Sequence, residues 1–277
     1  MKRPVIVTVA LSVAAVASSF VLLTASSVAA SSLPTLTLAV TKNAVVVGGS
    51  KVSGAVNVVS TITGEKNDSP GLLLLKPGVT PAELANVASH LGNDTPLDAV
   101  DPYATSVFAG DTNEGTPTTN QVVLVPGTYI AVNNGNGFTP FTVTQAASPA
   151  ALPKPAATVT AIDFAFRGAS TLHDGELVRF ENDGYLIHMV AYAQAKSVAD
   201  AKKAEALLLA GDVGHGQASK YGTGVKGMFA GPLSHGALQQ QVITQPPGVY
   251  VIYCAMNSED GRDHFQLGMF RTIKIVK

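Results

Sequence analysis

Of the 277 residues only one is cysteine, and tryptophan is absent. One cysteine excludes a disulfide within the chain, so no covalent staple helps the fold. Charge is sparse: Asp, Glu, Lys and Arg make up 13% of the residues, and 18 basic against 19 acidic groups leave a net charge of −1. Without a Lys/Arg cluster beyond the amino terminus, the electrostatic footprint of a nucleic-acid-binding protein is missing. There is no Gly-x-Ser-x-Gly elbow, no Walker loop and no dinucleotide fingerprint, which removes those routes to hydrolysis and nucleotide chemistry. After the first thirty residues no apolar run is long enough to span a bilayer.

What the chain does have begins with Lys2 and Arg3, followed by a continuous apolar run over residues 5–23. Small residues continue to Ala30, and Val28-Ala-Ala30 fits the small-x-small pattern of signal peptidase. Residues 1–30 are therefore expected to be a signal peptide, cleaved after about Ala30. A retained transmembrane anchor is the competing reading, since the run is nearly long enough. The Ser/Ala-rich end and the lack of a following basic cluster favour cleavage, and no cysteine follows to carry a lipid. The mature chain is expected to be secreted, extracytoplasmic and free of the membrane. In an oxidising compartment an unpaired thiol needs burial or a metal to hold it.

Val, Thr, Ala and Gly dominate the rest, as in β-sandwiches. Ala146-Ala-Ser-Pro-Ala-Ala-Leu-Pro-Lys-Pro-Ala-Ala157 holds three prolines among alanines and reads as a semi-rigid linker between residues 31–145 and 158–277. The two sides look alike. Thr80-Pro-Ala-Glu83 is a capping box opening a helix to about Leu91, and Ser197-Val-Ala-Asp200 opens a second that Gly211 ends. Pro126-Gly-Thr-Tyr-Ile-Ala-Val132 matches Pro247-Gly-Val-Tyr-Val-Ile-Tyr253, and Phe141-Thr-Val-Thr144 matches Ile273-Lys-Ile-Val276. The period is about 120 residues. Strands are expected over residues 36–47, 52–62, 159–166 and 176–180. Ile162, Phe164 and Phe166 alternate with Asp163 and Ala165 in the manner of one half-buried strand. The expected class is all-β: two similar sandwiches, each with one short helical insertion, joined by the Pro/Ala-rich linker.

The last thirty residues carry the chemistry. Residues 249–253 read as a packed strand with Cys254 at its end. A polar loop, residues 257–263, delivers His264; Met269 follows after four more residues. Upstream, His188 stands in a second apolar run, residues 186–192. Taken singly, the cysteine reads as a small buried hydrophobe, the histidine as solvated and the methionine as core filler. Together, thiolate, imidazole and thioether form a soft ligand set that suits copper better than the oxygen-seeking calcium or magnesium. A metal-facing thiolate is expected to react with thiol reagents in copper-free protein and to be protected by copper.

His…Cys…His…Met in that order resembles the ligand series of the cupredoxin (blue-copper) family. The resemblance covers about the last 120 residues and implies a Greek-key sandwich. It further implies that His188, Cys254, His264 and Met269 hold one copper ion, as two imidazoles, a thiolate and a weak axial thioether. Nine residues separate Cys254 from His264, where small blue-copper proteins usually have two to four; copper nitrite reductases carry a loop nearly that long.

The matching positions of the first half hold none of these types. Asn133 stands for Cys254, Gly137 falls near the place of Met269 and Gly71 near that of His188, and the short loop over residues 134–137 has no histidine. Correlated absence argues for a shared job in the second half and a metal-free first half. His90 and His173 read as solvated; His215 and His235 flank a Gly-rich segment, residues 211–236, expected to be a long loop over one end of the second sandwich. Two functions follow: a secreted copper protein for electron transfer or copper carriage, with a redox or copper-transfer partner, or a metal-free binding module of the cell envelope. Redox catalysis is not expected, because Tyr253 and Ala255 flank Cys254 where coupled copper enzymes place histidines.

Overall fold

The computed structural model describes residues 33–90, 97–134, 136–211 and 217–277. The expected signal peptide, Leu91 at the first helix's end and His215 lie outside them. The first half carries β1 (Thr35–Thr41), β2 (Ala44–Gly49), β3 (Gly54–Ile62), β4 (Asn67–Asp68), β5 (Gly71–Leu75), α1 (Pro81–His90), β6 (Ala104–Ala109), β7 (Thr112–Asn113), β8 (Thr118–Leu124), β9 (Gly127–Val132) and β10 (Phe138–Val143). The second carries β11 (Ala157–Ile162), β12 (Ala165–Gly168), β13 (Thr171–His173), β14 (Leu177–Asn182), β15 (His188–Ala195), α2 (Val198–Leu209), β16 (Gly222–Leu233), β17 (Leu238–Val242), β18 (Gly248–Tyr253) and β19 (Phe270–Val276). The protein is mostly β, with two α-helices among the described residues.

Alternation does the local work. In β1 Leu36, Leu38 and Val40 face in, while Thr35, Thr37, Ala39 and Thr41 face out, the period-two pattern of a strand with one buried face. Both capping signals form as read. The Thr80 hydroxyl accepts from the Glu83 N–H at 3.2 Å while the Glu83 carboxylate accepts from the Thr80 N–H at 2.7 Å. Ser197 caps α2 by accepting from the Asp200 N–H at 3.0 Å, and Gly211 leaves that helix with φ of +77°.

Two expected strands are instead hairpins. The run over residues 36–47 folds back at Lys42 and Asn43, with Thr41 opposite Ala44. The run over residues 159–166 folds back at Asp163 and Phe164, with Ile162 opposite Ala165. Apolar alternation persists through the second turn, so period alone could not reveal it; at the first it breaks at Thr41, Lys42 and Asn43, three polar residues in a row. Each hairpin ends on a glycine with positive φ, Gly49 and Gly168, where a Cβ would stand 2.2 Å from the carbonyl oxygen of Thr35 or Thr158. Only glycine permits that approach.

One sheet runs through both halves, in the order β12-β11-β14-β17-β8-β3-β1-β2. The pairing scheme about its middle is mirrored: β11 pairs antiparallel with β12 and parallel with β14, as β1 does with β2 and β3. Each half closes over this sheet with another of its own, β10-β9-β5-β6 and β13-β19-β18-β15-β16. The two halves also meet directly, because β17 and β8 join edge to edge through Gln239 opposite Val122 and Gln240 opposite Gln121. The reason is chemical. Gln239 is fully buried, donates to the Phe229 carbonyl at 3.0 Å and accepts from the Ala109 N–H, so the glutamine at the junction of the edge strands is itself satisfied. Residues 145–156 carry no strand, yet they are tied down: Ala150 accepts from the Ala55 N–H at 2.8 Å.

The Gly-rich segment also departs from expectation. Residues 222–233 form β16, which pairs with β15 and runs against β6 of the first half. Its glycines serve close approach: a Cβ on Gly231 would fall 2.4 Å from that of Ala109.

Apolar packing is local to each half. Phe180, Phe229, Tyr192 and Tyr250 centre one cluster, which also holds Cys254 and Met269. Leu36, Val58, Phe108 and Tyr129 centre the other. The Phe180 and Phe229 rings stack at 5.1 Å, an arrangement worth about 0.5–1.5 kcal/mol beyond burial. A smaller cluster sets Ala201 and Leu208 of α2 over Val251 and Phe265. No helix among the described residues is long and apolar enough to cross a membrane.

Candidate metal centre

Four elements bring the soft side chains together. β15 begins at His188, directly after a bend whose N–H groups are held by carboxylates. β18 ends one residue before Cys254. The chain then closes on itself: His264 N donates to the Met256 carbonyl at 2.8 Å, Phe265 N to that of Cys254 at 2.9 Å, and Met269 N to that of His264 at 3.0 Å. Cys254 N returns to the Met269 carbonyl at 3.1 Å. Asp263 opens the 3₁₀ turn His264–Leu267 with a reciprocal cap to Gln266, and Gly268, at φ +98°, turns the chain into β19. Phe265 anchors the turn beneath α2. The nine-residue interval is therefore a pinned excursion.

His188, Cys254 and His264 are all within 1% of complete burial, as is Met269. The two Nδ1 atoms lie 3.1 Å apart; the Cys254 Sγ is 3.7 Å from that of His188 and 3.4 Å from that of His264. A triangle with these sides has its centre about 2.0 Å from each corner, against roughly 2.0–2.1 Å for metal–imidazole and 2.3 Å for metal–thiolate bonds. Met269 belongs to the same buried cluster and is tied to both Cys254 and His264 through its backbone.

The electrostatics fit a cation-binding site in its protonated form. Burial pushes the Cys254 thiol up to about 12, against the pull of the Met189 and Met256 backbones. Ready labelling of the copper-free thiol, expected from the sequence, does not suit a group that is both protonated and closed to solvent. Burial also drives His264 down to about 4, helped by the neighbouring His188 and opposed by Asp163. His188 is lowered by burial too, with Asp163 resisting.

The neutral rings reveal a mismatch. The His188 Nε2–H donates to Asp163 Oδ1 at 3.0 Å, which leaves its Nδ1 with a lone pair. His264 must then donate from its own Nδ1, and its Nε2 is buried without a hydrogen-bond partner. Such an orphan costs about 1–3 kcal/mol. A soft cation at the triangle's centre would replace the Nδ1–Nδ1 hydrogen bond, taking both Nδ1 lone pairs and the thiolate while the His264 proton moves to its still unpartnered Nε2, so the three-donor set fits copper.

Asp163 is the residue that sequence reasoning missed. The alternation over residues 162–166 marks it as an outward residue of a strand, but it sits at the hairpin turn and accepts from Tyr185 N, Leu186 N and His188 Nε2. Partial burial would raise its carboxyl, and these donors outweigh that to hold it low. Asp98, from the first half, accepts from the Ile187 N–H at 2.6 Å, next to His188. The other histidines among the described residues stay apart. His235 bonds the Gly184 carbonyl at 2.9 Å and stacks on Tyr185; His90 bonds Asn86, and His173 is exposed in β13. At the place matching Cys254, Asn133 bonds the buried Asp68 at 2.9 Å, a polar closure instead of a soft one.

No family model and no curated protein matches the chain. Among solved structures it is similar to auracyanin B, at 18% identity over 46% of this chain and 93% of that one, with a TM-score of 0.27. It is similar to auracyanin A of Chloroflexus aurantiacus, a "blue" copper protein, at 18% identity over 43% and 95%, with a TM-score of 0.26. A multi-copper oxidase from Pseudomonas thermotolerans aligns over 87% of this chain and 67% of its own, at 10% identity and a TM-score of 0.23. The weight of the site rests on its triangle of donors.

Proposed function

We propose that this is an extracytoplasmic copper protein with a single mononuclear site, used for one-electron transfer or for copper carriage. His188, Cys254 and His264 would hold the ion, with Met269 as a weak fourth ligand. The observation that carries this reading is the buried triangle of two imidazole nitrogens and a thiol whose centre lies at bonding distance from all three. In the same reading the chain is two cupredoxin-like Greek-key units, residues 31–145 and 158–277, of which the first holds no metal and braces the second.

Bound copper would supply exchange between its one- and two-electron-poorer states, Cu(I) and Cu(II). The chain's own part is to hold the donors still. Backbone bonds from Cys254 to Met269, and from Met269 to His264, fix the excursion, while the sheet fixes His188. Rigid donors suit both oxidation states about equally and keep reorganisation small. Full burial excludes water and other ligands from the centre. Catalysis is not part of the proposal: Tyr253 and Ala255 flank Cys254, and no second group of three clustered His, Cys, Asp or Glu ligands occurs among the described residues.

Adding Cu(II) to metal-free protein is expected to produce an intense thiolate-to-copper absorption in the visible. Cys254→Ser abolishes it, and Met269→Leu shifts it without removing it. An unchanged spectrum from correctly folded protein would overturn the proposal and leave the metal-free envelope module, with Cys254 as core filler.

A further inference from the structure

We propose that Asp163 is a positioning residue that fixes which nitrogen of His188 faces Cys254 and His264, and that Gly184 exists to let it do so. The inference rests on the copper reading for its purpose, though its geometry stands without metal. An imidazole can present either nitrogen, and the wrong one would leave the triangle without a corner. Here the Asp163 carboxylate takes the Nε2–H at 3.0 Å, so Nδ1 is the nitrogen left bare. The carboxylate cannot swing away. Oδ1 also accepts from Leu186 N at 3.2 Å, and Oδ2 from Tyr185 N at 3.1 Å.

Gly184 closes the argument. A Cβ there would stand 2.6 Å from Asp163 Oδ1 and 2.7 Å from His188 Nε2, inside the contact distance of both partners. Gly184 is itself pinned, its N–H donating to Asn182 Oδ1 at 2.9 Å. A side chain at 184 would therefore wedge the pair apart.

The turn that places Asp163 is strained. Phe164 has φ of +61°, a conformation that costs a bulky residue roughly 1–3 kcal/mol. Its ring stands edge-on to His264, centroids 5.3 Å apart at 88°. One two-residue turn thus touches both imidazoles, holding the first by a hydrogen bond and backing the second by a ring. A carboxylate on the far nitrogen also makes His188 a stronger donor, favouring Cu(II) over Cu(I).

The test uses the full chain carrying Asp163→Ala or Gly184→Ala, with urea unfolding to establish that each is folded. In copper-free protein, nitrogen NMR of His188 is expected to show the proton on Nε2 in wild type and a mixture of both tautomers in each variant. Cu(II) affinity, by competition titration, is expected to fall about 10–100-fold in each, and the reduction potential to rise. Should one variant fail to fold, the other decides. Retention of the Nε2–H tautomer in a folded variant, or affinity within threefold of wild type, would overturn the proposal. A wild type that binds no copper would defeat the functional reading alone, because the tautomer measurement needs no metal.

Discussion

His264 offers a test of the site that requires no metal at all. Burial, and then the adjacent His188, bring its folded value from 6.5 to about 4. A depressed value means that above about pH 6.5 the ring is neutral in both folded and unfolded chains, and its contribution is complete. As pH falls, the unfolded chain takes up the proton first, and stability drains until the folded ring also titrates near 4. At 1.36 kcal/mol per pKa unit the full loss is about 3 kcal/mol, with about 2.5 kcal/mol gone by about pH 4.5. That is a large share of a typical total of 5–15 kcal/mol. In urea it corresponds to a midpoint shift of about 1 M. His188, lowered by burial, adds loss of the same sign, whereas Asp98, Asp111 and Asp263, raised by burial, act oppositely. The useful quantity is therefore the difference between wild type and His264→Gln. With no tryptophan to report unfolding, circular dichroism of chelator-treated protein in urea between pH 7 and 4.5 serves as the assay. Parallel curves for the two proteins would refute the reasoning, since they would mean that His264 is not held neutral by its surroundings.

Three further outcomes are expected. Gly231→Ala sets a methyl against Ala109 at the contact between β16 and β6, and should cost about 1–3 kcal/mol in urea unfolding; no loss would mean that the halves do not pack there. Gln239→Leu strips partners from the Phe229 carbonyl and the Ala109 N–H, and should cost a similar 1–3 kcal/mol, an unchanged urea midpoint arguing against a shared sheet. With its thiol pushed up to about 12 and fully buried, Cys254 should react at pH 8 about a thousandfold more slowly in folded copper-free protein than in urea, and equal rates would show that the thiol is exposed.

Much of the fold was legible wherever a local rule acts alone. The capping box at Thr80 and Glu83 and the N-cap at Ser197 each depend on a few adjacent residues, and each forms where the sequence places it. The hairpin at residues 163–164 was not legible, because alternation survives its two-residue turn and only the positive φ at Phe164 exposes it, whereas the polar break at residues 41–43 marks the other. The junction of the halves was hidden for a different reason. Buried glutamines look like surface residues until their partners, which lie more than a hundred positions away for Ala109 and Asn120, are known. Glycines in β16 misled in the same way: a residue that permits close approach to another strand has the composition of a loop.

The site divides along the same line. Thiol, imidazole and thioether are rare enough that their order, through its resemblance to the cupredoxin ligand series, pointed to His188, Cys254, His264 and Met269 in the sequence. Asp163 carries no such rarity, and neither does Asp98; each is an ordinary carboxylate until a backbone N–H or a ring is placed against it. Their location is informative nonetheless. Asp163 lies on the hairpin that edges the shared sheet, and Asp98 on the first half, so the bend before His188 is held from two directions. A side chain at the first residue of a strand would otherwise fray with that strand's end. The shared sheet and the turn at residues 163–164 hold the His188 ring in place, which ties the proposed site in the second half to the presence of the first.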